Sequence, residues 1–287
     1  QFTSGADGND VTQTGDITTA GDNAYGLYFF SSDSNTTNLT GNITTTGDSA
    51  YGLWLSDSDS NTTSLTGNIS TAGTDAYGLR LSDSDSNITS LTGNITTSGG
   101  GADGILVGTS SNSNTVNITG NFTISGSSSA AISLNNAGIN NTVNLTGNVI
   151  SSGIGSHGIE VLSSDSNTVN WVGGMTSTNI GQHAILLNDS DSNTISMTGN
   201  INSTGLGSTG IWIETGSESN TINVTGDINV TGQNASGLYL RAGSDSNNIT
   251  INGNIITSGT DGNSEPILLS NSDLNTFTLS GAVHSLG

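Results

Sequence analysis

Residues 41–55 read GNITTTGDSAYGLWL, and residues 67–81 read GNISTAGTDAYGLRL. The same frame opens earlier at Gly15 (GDITTAGDNAYGLYF) and later at Gly93 (GNITTSGGGADGILV). It continues as GNFTISG, GNVISSG, GGMTSTN, GNINSTG, GDINVTG and GNIITSG, starting at residues 120, 147, 173, 199, 226 and 253. The spacing is 26 or 27 residues throughout. The stretch ahead of each frame also repeats, as NTTNLTG, NTTSLTG, NTVNITG or NTISMTG. Its leading Asn recurs from Asn9 through Asn35, Asn61 and Asn87 to Asn275. A fixed period of this size marks a repeat architecture. The reading divides the chain into an N-terminal extension, 1–8, and one solenoid domain, 9–287, of ten repeats and a partial eleventh.

Counting the leading Asn as zero, apolar or small residues fall at +2, +4, +8, +18 and +20. In the second unit these are Thr37, Leu39, Ile43, Leu53 and Leu55. Alternation with period two predicts strands. Gly at +6 and near +12 breaks each unit into three short strands, and no helical pattern appears. A 26-residue unit is too short for a propeller blade and leaves no room for crossover helices. The expected fold is therefore all-β: a single parallel β-helix, or β-solenoid, with three short strands per 26–27-residue turn and about ten turns. Neighbouring turns ~4.8 Å apart make ten turns a rod about 48 Å long.

The chain of 287 residues carries 23 Asp+Glu against 2 Lys+Arg, a formal net charge of −21. The only basic side chains besides His are Arg80 and Arg241. Nucleic-acid binding requires several cationic backbone contacts, so that function is excluded. Docking on anionic lipid is disfavoured for the same reason. Cys is absent, which removes disulfides, iron–sulfur clusters and thiol chemistry. No apolar run approaches the ~20 residues of a membrane helix, so no membrane insertion is expected. The chain begins at Gln1 without a signal-peptide pattern, as in a processed product or an excised fragment.

Two Asn columns carry a structural expectation. One is the leading Asn, represented by Asn35, Asn61 and Asn87. The other lies at +7 and includes Asn42, Asn68 and Asn94, with Asp16 and Asp227 as variants. Asn tolerates the left-handed backbone of a sharp corner, and stacked amides can bond along the column as ladders.

The unit G-[ND]-I-x-[TS]-x-G…A-x-G-[LI]-x-[LV], preceded by N-T-x-x-[LIV]-T-G, resembles the repeats of bacterial autotransporter passengers and related β-helical adhesins. The resemblance covers nearly the whole chain. It implies a right-handed, secreted rod displayed at the cell surface, hence an extracellular location. The family's C-terminal membrane barrel is not in this sequence. A cleaved passenger, a fragment and an unrelated secreted solenoid all fit. The family shares no catalytic residues that could be carried over.

Several candidate sites follow from the residues. Acidic loops such as SDSDSN precede the leading Asn and stack Asp33, Asp59, Asp85, Asp165, Asp191, Glu218, Asp245 and Asp273 in one column. Asp57, Asp83 and Asp189 form a shorter one. Oxygen-rich loops suit a hard cation, which makes Asp57, Asp59, Asp83, Asp85, Asp189 and Asp191 candidate Ca²⁺ ligands. No other cofactor is indicated. The competing reading is a solvated acidic edge, since the spacing of known Ca²⁺ loops is missing.

Positions +16 and +19, read as the outward face of the third strand, concentrate aromatics near both ends. They include Tyr25, Tyr28, Tyr51, Trp54, Tyr77, Trp212 and Tyr239. Such a strip suits subunit contact or sugar stacking; cross-strand stacking is the alternative. His157 and His183 share one column without an evident third metal ligand. Carboxylate pairs are plentiful, but uniform turns leave no walled groove and Arg80 and Arg241 stand about six turns apart. An ice-binding Thr face is disfavoured because Thr44–Thr46 decays to VIS, NST and IIT along its column. The sequons at Asn38, Asn117 and Asn144 are expected to face outward.

The functional expectation is a non-catalytic extracellular structural solenoid, a surface fibre or matrix subunit. Its partner would be a second copy, joined head to tail through uncapped ends, with Gln1–Gly8 completing the next subunit's final turn. The alternative is an adhesin that binds a surface glycan through the aromatic strip. A polysaccharide-active enzyme is the most distant reading.

Overall fold

A computed structural model describes residues 1–259 and 264–286. Gly287, the last residue of the partial eleventh repeat, lies outside the described residues. The described residues are all-β, and their strands form three parallel sheets of 11, 11 and 10 strands. Every third strand belongs to the same sheet, which is the connectivity of a β-solenoid.

Each turn repeats one plan. In the second turn, face one is Thr36–Thr40, face two Ile43–Thr45 and face three Leu53–Ser56. The next turn pairs residue for residue: Thr37 with Thr63, Ile43 with Ile69, and Leu53 with Leu79. A spacing of 26 residues is what this register requires. Where the unit lengthens to 27, the added residue sits between strands and the pairing Val116–Val143 remains in frame.

Alternation places the core inside the coil. Face one buries its second and fourth residues and exposes the other three, as in Thr62–Thr66. The +8, +18 and +20 positions complete the interior with residues such as Ile95, Ile105 and Val107, all 0% exposed. The inward +2 column changes character along the rod. Thr37, Thr63 and Thr89 fill it at one end; Val116, Val143 and Ile195 follow.

The backbone of Gly120 shows why +6 is Gly. Its φ is +159°, and a Cβ there would strike the carbonyl of Gly93 on the preceding turn. The left-handed corners, however, are not made by the Asn columns. They belong to neighbours such as Ser34 (φ 57°), Asp57 (φ 48°) and Ser60 (φ 57°). Asn35, Asn61, Asn42 and Asn68 are not among the positive-φ residues. The Asn side chains are instead spent on hydrogen bonds that reach along the axis, and the residue ahead of the leading Asn, most often Ser, takes the left-handed conformation.

The eight residues ahead of Asn9 dock on the coil. Phe2 forms a parallel bridge with Phe29, its N–H donating to Tyr28 O at 2.7 Å and its carbonyl accepting from Phe30 N–H at 3.1 Å. The two rings stack with centroids 4.5 Å apart. Phe2 therefore continues face three by one further position.

Candidate functional site

The acidic loops resolve letter by letter. In Ser56–Asn61, Asp57 turns the corner in the left-handed region. Ser58 is buried, and its N–H donates to Ser84 Oγ on the next turn at 3.0 Å. Asp59 N–H donates in the opposite direction, to Asp33 Oδ1 on the preceding turn at 2.8 Å. Ser60 is left-handed again. Asn61 N–H donates to Asn87 Oδ1 at 2.8 Å. Each residue type in the loop thus has a backbone role.

The candidate cation ligands fall into two structural classes. Asp57, Asp83 and Asp189 are left-handed corner residues, with φ between 48° and 51°. Asp59 and Asp85 each accept a next-turn N–H through Oδ1, from Asp85 and Asn112 respectively, both at 2.7 Å. Asp191 accepts from Glu218 N–H at 2.7 Å. These carboxylates align along the axis, where they act as N–H acceptors. Among the described residues, no group of three or more His, Asp or Glu side chains is placed to hold a metal ion.

The leading-Asn ladder is continuous. Ten successive N–H···Oδ1 bonds link Asn9 to Asn275, the first and last at 2.9 and 2.8 Å. From Asn35 to Asn247 the side chains are buried. The +7 ladder runs with opposite polarity and is largely exposed: Asn68 N–H donates back to Asn42 Oδ1, and Asn94 N–H to Asn68 Oδ1, both at 2.9 Å.

The structure brings the N-terminal aromatics together, but their faces meet each other. Tyr28 stacks on Trp54 at 4.6 Å with planes 20° apart, and Tyr25 on Tyr51 at 5.2 Å and 21°. Tyr77 continues from Tyr51 at 5.1 Å. The Arg80 guanidinium lies 5.2–5.5 Å from the Tyr51, Trp54 and Tyr77 ring centres and donates to the Tyr51 hydroxyl at 2.7 Å. Burial pushes the Tyr77 phenol up to about 12. At the other end Trp212 packs between His183 and Tyr239, beneath Arg241. Arg241 pairs with Glu214 at 2.5 Å. The +16 column is far more closed than an outward strand face, with Tyr51 at 7% exposure and His183 at 8%. Rings stacked along the axis turn their edges, not their faces, to solvent. The ends of the stack are different: Gln1, Asn23, Tyr25 and Tyr28 line a cavity of about 290 Å³.

Between the aromatic groups lies a cluster of which the repeat-based reading singled out only His157 and His183. Asp103 is 8% exposed and accepts from Ala130 N–H at 2.7 Å. The buried Ser133 side chain serves both Asp103 and Glu160, and its hydroxyl partly offsets the effect of burial on each. Burial raises both carboxyls, Asp103 well above the usual range. His157 Nε2 is 4.0 Å from Glu160 Oε1, while its Nδ1 accepts His183 N–H at 3.2 Å. Accepting that N–H at Nδ1 requires a neutral imidazole, and burial lowers His157 to about 4. Burial, then His157 and Arg241, lower His183 to about 3. The two imidazoles stack 5.1 Å apart, and His183 Nδ1 has no partner. The signal available in the sequence was a change of residue class within two columns, from Tyr to Asp and His at +16 and from Trp to Ser and Glu at +19.

Compared with known proteins, the chain matches no family model, no curated protein and no solved structure.

Proposed function

We propose that this chain is a non-catalytic structural rod of the extracellular surface, built like the passenger of an autotransporter or a related adhesin. The observation that carries this reading is continuity. Three sheets run the length of the described coil in one register, and the buried leading-Asn column is spent on one axial ladder. Such a solenoid acts as a stiff spacer or fibre segment because each turn rests on its neighbours.

End-to-end assembly with a second copy extends the same reading. Asp10–Thr14 and Val283–Ser285 each pair with one strand only. Phe2, Val11, Ile17, Leu27 and Leu39 line an apolar opening of about 270 Å³ at the first turn. An unpaired strand edge is a template for another chain, and a contact of unlike ends propagates without closing. Electron microscopy of the pure chain tests this directly. Fibres much longer than the ~50 Å expected for eleven turns, lost on deletion of Gln1–Gly8 with the fold retained, support it. Single rods at all concentrations refute the assembly.

The glycan-binding reading is favoured only at the cavity beside Tyr25 and Tyr28, where ring faces end and the polar side chains of Gln1 and Asn23 converge. A glycan array with the monomer tests it, and Tyr25→Ala should remove any binding seen.

A further inference from the structure

Face one differs from the rest of the surface. Its outward residues form three columns at +1, +3 and +5. From Thr36 to Thr278 every one of them is Thr, Ser or Asn, except Ile88 and Val172. Central rows read Thr115, Asn117, Thr119 over Thr142, Asn144, Thr146. From Thr36 onward no charged side chain enters these columns, although the acidic column stands only three residues before the first of them; Asp10, in the row at the N-terminal edge, is the single exception. A surface selected for solubility alone would admit Asp or Glu here. Faces two and three are strands as well, yet one carries Ile150 and Ile256 outward and the other carries rings, Arg and Glu. Strand propensity alone therefore does not account for the pattern.

The array is regular in two directions. All ten strand pairs of face one match residue to residue without a bulge. Rows are ~4.8 Å apart and columns ~6.6 Å, twice the rise per residue. Part of the middle column is fixed by its own bonds, Asn144 Nδ2–H to Asn117 Oδ1 at 2.8 Å and Asn170 Nδ2–H to Asn144 Oδ1 at 2.9 Å.

We propose that face one, rather than the decaying Thr44–Thr46 column of face two, is an ice-binding surface, on which the Thr, Ser and Asn array holds an ordered layer of water continuous with the crystal. The residue chemistry selects this occupant. Hydroxyls and amides donate and accept in repeating positions, and the Thr methyls keep the layer from being broken by strong local hydration. Charged groups, which orient water about themselves, are absent from the ten rows that begin at Thr36. A protein partner fits less well. The ten rows from Thr36 measure about 13 by 43 Å, roughly 560 Å², below the ~800 Å² per partner of a stable interface, and they have no aromatic or Arg anchor. A crystalline polysaccharide would be met by ring faces, and face one has none.

The test uses the whole chain, frozen slowly around an ice core, with ice-crystal shape observed under a microscope. Thr66→Lys, Thr146→Lys and Thr225→Lys are combined on face one. Thr123→Lys, Thr176→Lys and Asn202→Lys are combined on face two as a control of equal charge. Circular dichroism verifies the fold of both. Wild type and the control are expected to enter the ice and facet its crystals, with at least tenfold less of the face-one variant incorporated. Exclusion of wild type from the ice, or equal incorporation of the face-one variant, overturns the proposal. So does wild type that is excluded from ice but sediments with powdered chitin or cellulose.

Discussion

The N–H of Gly174 donates to Asn148 Oδ1 at 2.9 Å, but Gly174 returns no side chain to the next turn. The exposed +7 ladder is interrupted there and resumes where Asp227 N–H donates to Asn200 Oδ1 at 2.9 Å. A surface notch of about 440 Å³ lined by Asn148, Gly174 and Asn200 marks the gap. Gly174 has no positive φ, so a side chain is conformationally allowed. A Cβ would meet Asn200 O at 3.1 Å, a contact that needs a shift of a few tenths of an ångström.

Gly174→Asn is therefore expected to stabilise the rod. The restored hydrogen bond contributes ~1 kcal/mol, and loss of glycine's unfolded-state freedom adds about 0.4–1 kcal/mol. Thermal melting followed by circular dichroism should move up by at least ~2 °C. An unchanged or lower midpoint would show that the ladder is not limiting at this turn.

The inward Thr column offers a second gain. Thr37, Thr63 and Thr89 each bury an Oγ1 that has no partner, whereas Val116 and Val143 occupy the same column further along. Thr63→Val keeps the shape and removes a stranded hydroxyl, a gain of about 1–3 kcal/mol. The reciprocal Val143→Thr should cost a similar amount. The pair of melting curves checks both signs, and a destabilised Thr63→Val would refute the account.

Periodicity carried most of the fold because it is a one-dimensional signal. The recurrence of Asn35, Asn61 and Asn87 at 26 residues sets the register, and alternation at Leu39 and Leu53 sets the inside. What periodicity does not reveal is direction. The sequence could place Asn42 and Asn61 in ladders, but not their opposite polarity, nor that Ser60 rather than Asn61 takes the left-handed backbone. The aromatic columns were legible as columns, but ring orientation was not, because it depends on how Tyr28 and Trp54 share space across turns. Asp103 and Glu160 were hidden for a different reason. They stand where the repeat is broken, and a consensus averages such positions away.

The Asp103 cluster predicts opposing pH effects. A carboxyl raised by folding stabilises fully below its unfolded pKa, and that contribution is lost as pH rises through the folded value. Asp103→Asn keeps an acceptor for Ala130 N–H without the charge. It should melt higher than wild type at pH 7, with the gap shrinking towards pH 4. An imidazole lowered by folding gives the reverse: stability is full above its unfolded pKa, near 6.5, and falls as pH drops towards the folded value, about 3 for His183. His183→Phe should match or slightly exceed wild type at pH 7.5 and gain on it steadily down to pH 4. Parallel melting profiles for variant and wild type across this range would remove the basis of either statement.

Trypsin reads the order of face three. Its only cleavage residues are Arg80 and Arg241. Arg80 lies inside Leu79–Ser82, paired on both sides, and Arg241 ends Ser236–Arg241. The native rod is expected to stay intact over hours under conditions that cut heat-unfolded chain into three fragments. Rapid native cleavage after Arg80 would contradict the observed pairing.

The two Asn ladders provide the sharpest contrast, because they share chemistry and differ in burial. Asn141 is 1% exposed. Its N–H donates to Asn167 Oδ1 at 2.9 Å, its Nδ2–H to the same oxygen at 3.0 Å, and its Oδ1 accepts from Asn114 N–H at 3.0 Å. Nδ2–H also donates to Ser111 O at 2.6 Å. Asn141→Ala leaves the Asn114 donors and the Ser111 carbonyl stranded in the interior, at about 1–3 kcal/mol for each unmet group. Asn141→Asp is no better: it aims a carboxylate oxygen at the Ser111 carbonyl and buries a charge without a counterion. Asn121 makes the corresponding exposed bonds, its N–H donating to Asn94 Oδ1 and its Oδ1 accepting from Asn148 N–H, each at 2.8 Å. Water can replace those partners, so Asn121→Ala should cost about 0.5–1.5 kcal/mol. Asn121→Asp should be nearly neutral, because Asp16 and Asp227 already occupy this column with their ladder bonds made. Denaturant melts of the four variants give the order: Asn121→Asp least affected, then Asn121→Ala, with both Asn141 variants well below. Equal losses at the two positions would mean that hydrogen-bond count, rather than burial, governs the stability of this coil.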